Sequence, residues 1–378
     1  MEMNIAVFTT FDYSLKTWSN SGTLKRELKF FKLLSEEYGY KFTFITYGDI
    51  EDFNLLNATN YLEVIPIYSL IKNSKFKIIR YFKSFYVPFL LKKQMNNIDL
   101  IFQNQLMGSW VSIITKFLIK KPLLIRTGYD MLSFAKYEKK SLLKVFLYKL
   151  LTLFSLYFCN RFTVTSKTDF HQFKINYKKY ITKLVLIPNW VDKYSNNPVE
   201  NRYTNRILSV GRLEDQKNFE LLISEFKNSS AYLQIDIVGE GALQNKLSKL
   251  SKDFNVKINF LGSLSNDDLN KLYEKYFFYF STSKFEGNPK TVLEAMSAGC
   301  IVFLSNIPNH SELIQEGNNG FLFDLTKPNL ISLWKSEFNN YENLRQISNN
   351  AINYTIKNNS IEKIASLFNE DFKKLNTA

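Results

Sequence analysis

Three short stretches of this 378-residue chain concentrate residue types that handle anions and hydroxyls. The first is Glu286-Gly287-Asn288-Pro289-Lys290-Thr291-Val292-Leu293-Glu294, followed by Ala-Met-Ser-Ala-Gly299. A strand-like run precedes it, Pro289 suits the first turn of a helix capped by Asn288, and Gly299 suits its end. Unpaired amides at such a helix start attract anions. Glu286 in the loop and Glu294 more than a turn into the helix could accept hydrogen bonds from ligand hydroxyls; alone, the pair would equally suit a solvated helix. The second stretch is Val210-Gly211-Arg212-Leu-Glu-Asp-Gln-Lys217-Asn218, where two cations project from a strand-to-helix junction and would meet phosphate oxygens. The third, Val238-Gly239-Glu240-Gly241, begins like a dinucleotide fingerprint. Gln244 and Asn245 stand where its last glycine belongs, which argues against a nicotinamide-dependent oxidoreductase. Gly22, after Ser19-Asn20-Ser21, opens an expected helix and is a further candidate phosphate-facing turn.

The elements that would position these residues follow one grammar. Strand-like runs at 4–9, 41–47, 61–67, 100–103, 123–127, 161–165 and 184–187 alternate with helical stretches, the first at about 22–38 and ended by Gly39. The second half repeats this with runs at 206–210, 232–238, 256–261, 277–281, 301–304 and 321–323. Apolar strands alternating with helices mean parallel sheets covered on both faces. The polar stretch Asp192 to Thr204, centred on Ser195, Asn196, Asn197 and Pro198, reads as a linker between two doubly wound domains, 1–195 and 196–378. An amphipathic segment at about 360–374 closes the chain as an expected last helix; its pattern alone names no packing partner, and a return onto the N-terminal domain is the option considered.

The net charge of +14 is divided unevenly. Residues 1–195 carry 29 Lys+Arg against 14 Asp+Glu, and residues 196–378 carry 20 against 21. No acidic residue falls between Glu63 and Asp99, where Lys72, Lys75, Lys77, Arg80, Lys83, Lys92 and Lys93 accumulate. Ile78, Phe82, Phe85 and Phe89 share the spacing of one helical face, so this segment reads first as a basic amphipathic element for an anionic membrane surface. A coding bias towards Lys, Asn, Ile and Phe would act on both halves alike. A non-catalytic nucleic-acid-binding protein, the other class considered, lacks any accompanying zinc, helix-turn-helix or RNA-recognition signature. An apolar share of 45% with 22% charged residues excludes a disordered chain. No uncharged apolar run of about 18 residues appears; the most apolar stretch, Leu142 to Cys159, is interrupted by Lys144 and Lys149. The strand-like start lacks a basic n-region, so no secretory signal is expected. Cys159 and Cys300 are too few for a disulfide framework or a metal cluster and read as buried free thiols of a reducing compartment.

Together these stretches resemble glycosyltransferase family 4, retaining nucleotide-sugar transferases of GT-B fold: two Rossmann-like α/β domains facing each other across a cleft. The two glutamates separated by seven residues match Glu286 and Glu294, the basic pair matches Arg212 and Lys217, and the later run matches Ser311-Glu312-Leu313-Ile314 through Gly320-Phe321-Leu322-Phe323. Asn189-Trp190-Val191-Asp192 looks like the family's Asn-Gly-Val-Asp, with Trp190 for the glycine. The resemblance implies that Arg212 and Lys217 hold the donor diphosphate, that Glu294 binds the ribose, and that Glu286 with the following amides contacts the donor sugar. Gly22, Gly211, Gly239, Gly287, Asn288, Pro289 and Thr291 complete the expected donor site. It further implies front-face substitution, in which the leaving phosphate takes the acceptor's proton; Glu286, Arg212 and Lys217 are then catalytic with neither glutamate assigned as nucleophile, and Glu286 as nucleophile is the alternative behind it. No Asp-x-Asp motif occurs, so no metal and no cofactor beyond the nucleotide-sugar co-substrate is expected, with a UDP-sugar ahead of a GDP-sugar.

One departure stands out. Many members carry a histidine after the central N-terminal strand, where this chain reads Leu-Leu-Ile-Arg126-Thr-Gly128-Tyr129-Asp130. Asp130, as a catalytic residue, and Arg126, toward the acceptor, are the expected replacements. Of the two histidines, His171 is placed near a helix start in a structural role and His310 in a helix-opening position of the donor domain. The resulting expectation is a hexosyltransferase of bacterial surface-polysaccharide synthesis. It would act on a lipid-linked or lipopolysaccharide-type acceptor from the cytoplasmic face of the membrane, with Lys72, Lys75, Lys77, Arg80 and Lys83 toward acceptor and membrane. The runner-up is a family member acting on a soluble acceptor such as a sugar phosphate.

Overall fold

The computed structural model describes residues 3–56, 60–192, 201–229, 232–338 and 341–376. Two compact units emerge, Met1–Pro188 with Ile364–Ala378, and Asn189–Lys363. Ser195 to Pro198, the centre of the expected linker, and the expected boundary after 195 lie outside the described residues.

The first unit holds strands β1 (Met3–Phe8), β2 (Tyr40–Thr46), β3 (Leu62–Pro66), β4 (Leu100–Gln103), β5 (Leu123–Thr127), β6 (Arg161–Val164) and β7 (Leu184–Leu186). They pair in the order β3-β2-β1-β4-β5-β6-β7, all parallel. β4 and β5 are buried along their whole length, as strands covered on both faces must be. The helix Leu24–Tyr38 buries Phe30, Phe31 and Leu34, sets Phe31 4.9 Å from Phe42 and 4.8 Å from Phe44 of β2, and stops at Gly39, whose left-handed φ of 74° suits a glycine. The last helix, Ile361–Asn376, supplies Phe368 and Phe372 to the same unit. Phe368 lies 5.4 Å from Phe30, and Phe372 6.0 Å from Phe102. The Tyr40 hydroxyl donates to Asn369 Oδ1 at 2.6 Å.

The second unit holds β8 (Tyr203–Val210), β9 (Gln234–Val238), β10 (Lys257–Gly262), β11 (Tyr276–Ser281), β12 (Ile301–Ser305) and β13 (Phe321–Phe323). Their order is β10-β9-β8-β11-β12-β13, again all parallel. β11, Tyr-Phe-Phe-Tyr-Phe-Ser, is buried throughout at the centre. Both sheets have the doubly wound order in which strand sequence reverses beside the first strand, so ligand crevices belong at the carboxyl ends of β1 and β4, and of β8 and β11. Cys159 and Cys300 are buried free thiols, pushed up to about 12 by burial.

Two local expectations fail for identifiable reasons. The Ile78-to-Phe89 face is carried by two short helices, Lys77–Ser84 and Val87–Leu91, because the chain breaks at Phe85 and Tyr86 and restarts with Pro88 in a first turn. Gly22 does not follow a strand. A six-residue helix, Leu15–Asn20, capped by Ser14, intervenes, and the Gly22 amide donates to the Ser19 carbonyl, so it is not offered to a phosphate.

Candidate active site

The two strongest sequence motifs leave the two strands that flank the switch point of the second sheet. After β8 the chain runs through Gly211 and Arg212 into a short 3-10 turn, Asp215–Lys217, and then the helix Phe219–Glu225. After β11 it runs through Ser283 and Glu286 to the helix Lys290–Ser297. Side chains stitch the two loops together. Lys217 Nζ lies 2.5 Å from Glu286 Oε1, and Ser283 Oγ donates to the same oxygen at 2.7 Å. Gln216 Nε2 donates to the Phe285 carbonyl at 2.9 Å, while the Lys284 amide donates to the Gln216 carbonyl at 2.8 Å.

Burial alone would push the Glu286 carboxyl above the ordinary carboxylate value. The Lys217 ammonium and the Ser283 hydroxyl outweigh it and hold the group below the ordinary carboxylate value. Lys217 has three N–H donors, so a chain-length move short of breaking the pair leaves two for a ligand. Gly211 makes room for this arrangement, since a Cβ there would sit 2.8 Å from the Lys217 side chain. Arg212 is different in kind. Its side chain is 68% exposed and pairs with Glu214, an exposed contact worth about 0–1 kcal/mol at most, so its guanidinium can turn to a ligand at little cost.

Glu294 is buried on the helix Lys290–Ser297, with the Tyr273 hydroxyl 3.4 Å from its Oε2. The Tyr279 hydroxyl donates to Thr291 Oγ1 at 3.1 Å. Tyr279 is pushed above its usual range by burial, and both Glu286 and Glu294 add to that shift, so its phenol senses the two carboxylates. The expected cap is corrected: Pro289, not Asn288, occupies the N-cap position of this helix. Asn288 is engaged elsewhere, its Oδ1 accepting from the Asn189 amide at 3.0 Å and its carbonyl from Asn189 Nδ2 at 2.8 Å. Gly287 and Pro289 are buried in the same loop. Trp190, in place of the family's glycine, lies under Lys290 Nζ at 4.7 Å.

His310, in the helix Pro308–Ser311, is fully buried. Its Nδ1–H donates to the Ser305 carbonyl at 2.9 Å, and Nε2 has no hydrogen-bond partner among the described residues. Burial lowers its pKa to about 4, against the pull of Glu286 and with the help of Lys217. His171 lies exposed in mid-helix, within Lys167–Asn176.

Other expected site residues have structural partners of their own. Gly239, with φ of 132°, brings its backbone against Gly211; a Cβ would lie 2.1 Å from the Gly211 carbonyl oxygen. Asp130 caps the helix Met131–Tyr137, accepting from the Leu132 amide at 3.0 Å and from the Ser133 hydroxyl. Arg126 is buried on β5, where burial pushes its pKa to about 10, so it is no part of the exposed basic face. Arg80 holds Asp12 through both terminal contacts, Nε to Oδ1 at 2.7 Å and Nη2 to Oδ2 at 2.6 Å, and Lys83 Nζ donates to the Lys72 carbonyl. Lys72, Lys75 and Lys77 are exposed. Gln216 and Ser283 were not singled out from sequence; only Gln216's place inside the Arg212–Lys217 stretch hinted at it.

The family model for "Glycosyl transferases group 1" matches residues 191–358. A Campylobacter jejuni relative, "GalNAc-alpha-(1->4)-GalNAc-alpha-(1->3)-diNAcBac-PP-undecaprenol alpha-1,4-N-acetyl-D-galactosaminyltransferase", is 25% identical over 218 residues, 56% of each chain. An Escherichia coli relative, "O-antigen biosynthesis glycosyltransferase WbnH", is 33% identical over 143 residues, 37% of this chain and 40% of that one. The chain thus spans 56% and 40% of these relatives' lengths. Among solved structures, Anabaena Alr3699/HepE in complex with UDP and glucose superposes with a TM-score of 0.74 at 17% identity, covering 98% of this chain and 100% of that one.

Proposed function

We propose, on the GT-B fold and on the match of residues 191–358 to the glycosyl transferases group 1 model, that the chain is a retaining glycosyltransferase. It moves a sugar from a UDP-sugar to a membrane-associated saccharide acceptor in bacterial surface-polysaccharide synthesis. The observation that carries this reading is the Lys217–Glu286 pair, built where the loops after β8 and β11 meet. Arg212 and Lys217 face the charge that grows on the leaving diphosphate, Glu294 accepts from the ribose hydroxyls, and Glu286 accepts from a hydroxyl of the transferred sugar. The bond from the anomeric carbon to the diphosphate breaks as the acceptor oxygen bonds on the same face, and the acceptor's proton passes to the departing phosphate oxygen. Two side-chain cations and the amides at the start of the helix Lys290–Ser297 are the counter-charges, so the reaction needs no metal. Support for the donor comes from the UDP in the HepE complex, and for the acceptor from the undecaprenol-linked and O-antigen names of the relatives. The first unit is assigned to the acceptor and the exposed lysines Lys72, Lys75 and Lys77 to the inner membrane face. No helix among the described residues is long and apolar enough to cross a membrane.

A panel of nucleotide-sugars screened for slow hydrolysis without acceptor tests the proposal. A UDP-sugar should be turned over, equally with and without a chelator. Hydrolysis of none of them, together with no product on adding lipid-linked acceptors, would sink it.

A further inference from the structure

The helix Leu142–Phe158 leaves a long apolar face uncovered. Leu143, Leu147, Leu150 and Phe154 repeat the spacing of the series that starts at Ile78, and they are 43–67% exposed. Phe85 of the first series and Leu147, Leu150 and Phe154 of the second line one cavity of about 1050 Å³ within the first unit, together with Tyr81 and Trp110. Every lining residue is aliphatic, aromatic or methionine. Exposed apolar surface of this extent marks an interaction site. Its surroundings select the partner. No acidic residue lies between Glu138 and Asp169 or between Glu63 and Asp99, while Lys75, Lys77, Lys144 and Lys149 are exposed beside the apolar positions. A second copy of the chain would set lysine against lysine with no carboxylate from these segments to pair them. An anionic lipid headgroup pairs them, and the apolar face then meets hydrocarbon. At 17 residues the helix is about 25 Å long and carries two lysines, dimensions for lying in the interface.

We propose that the helix Leu142–Phe158 lies in the headgroup boundary of an anionic bilayer and that the cavity beside Trp110 takes one acyl chain of a bilayer phospholipid. This rests on the membrane reading above but not on the nucleotide site.

Trp110, 6% exposed, is a built-in reporter. The full chain is mixed with phosphatidylcholine vesicles, with and without phosphatidylglycerol, whose acyl chains are brominated in a parallel set. The expected result is binding to the phosphatidylglycerol vesicles, with tryptophan quenching by brominated chains that Trp110→Phe abolishes. The exposed triple variant Leu143→Glu/Leu147→Glu/Phe154→Glu, its fold checked by circular dichroism, should partition at least about a hundredfold more weakly. Binding without Trp110 quenching would overturn the cavity assignment while leaving a membrane surface standing. Unchanged partitioning of the triple variant would overturn the helix assignment. No binding to either vesicle would overturn both, and a lipid-free dimer lost in the triple variant would assign the face to a second copy. Loss of nucleotide binding would leave this proposal untouched.

Discussion

Burial pushes the Glu286 carboxyl up and the Lys217 ammonium pulls it down further, and the whole site turns on that balance. Its side chain is 9% exposed and Lys217's is 16%, so removing the lysine alone would strand a buried charge at a cost of about 3–5 kcal/mol. A pair this expensive to break is kept for its geometry: it fixes an acceptor and a donor side by side at the end of β11. The residue types and spacing on either side of the gap were legible in sequence, because each motif is continuous in the chain. Their partner hydroxyls and amides, Ser283 and Gln216, were not, since nothing local marks a serine or glutamine that reaches across to another loop. His310 carries a prediction at this scale. The folded protein holds its imidazole neutral down to about pH 4, whereas the free side chain takes a proton near 6.5. Its contribution to stability is therefore complete above pH 6.5 and lost as pH falls between those values. Denaturant unfolding across that window should show a shallower pH slope in His310→Asn than in the wild type. Identical slopes would mean that the imidazole is not held neutral.

Elements were the most readable level. Every expected strand forms, shifted at most a few residues at its ends, because continuous runs such as Tyr276–Ser281 have no other way to be buried. Caps and breaks were less readable. Asn288 has the chemistry of an N-cap but is taken by Asn189, and the break at Phe85–Tyr86, just before Pro88, divides a face whose apolar spacing runs on without interruption. Gly239 shows the same limit from the other side. It was read as a fragment of a nucleotide fingerprint, yet its glycine is demanded by the Gly211 backbone. Gly239→Ala should lose at least about 2 kcal/mol of unfolding free energy, from the left-handed φ and the clash together. A change within about 0.5 kcal/mol would show that the two loops can part freely.

For the whole molecule, the charge division and the last helix carry the account. The excess of basic residues lies in 1–195, outside the Arg212–Lys217 and Glu286–Glu294 stretches, so in the proposed reading it bears on where the protein works and not on its chemistry. The last helix could be foreseen as amphipathic and its return onto the first domain considered, but not the contacts that hold it, because those of Phe372 with Tyr40 and Phe102 join positions far apart in the chain. Phe372 is fully buried, and Phe372→Ala should cost about 3–5 kcal/mol. Hydrogen exchange should then show amides of β2 and β4 losing protection while those of β11 keep theirs; uniform loss would mean that the two units unfold as one.

The most direct measurement is calorimetric titration of the purified chain with UDP, alongside Arg212→Ala and Glu294→Ala. Arg212 is exposed, so its removal cannot act through folding, and the loss of one charge-assisted contact should weaken binding by about tenfold or more. The account predicts UDP binding that falls in both variants; no binding of UDP or any other nucleoside diphosphate, or equal affinity in all three proteins, would contradict it.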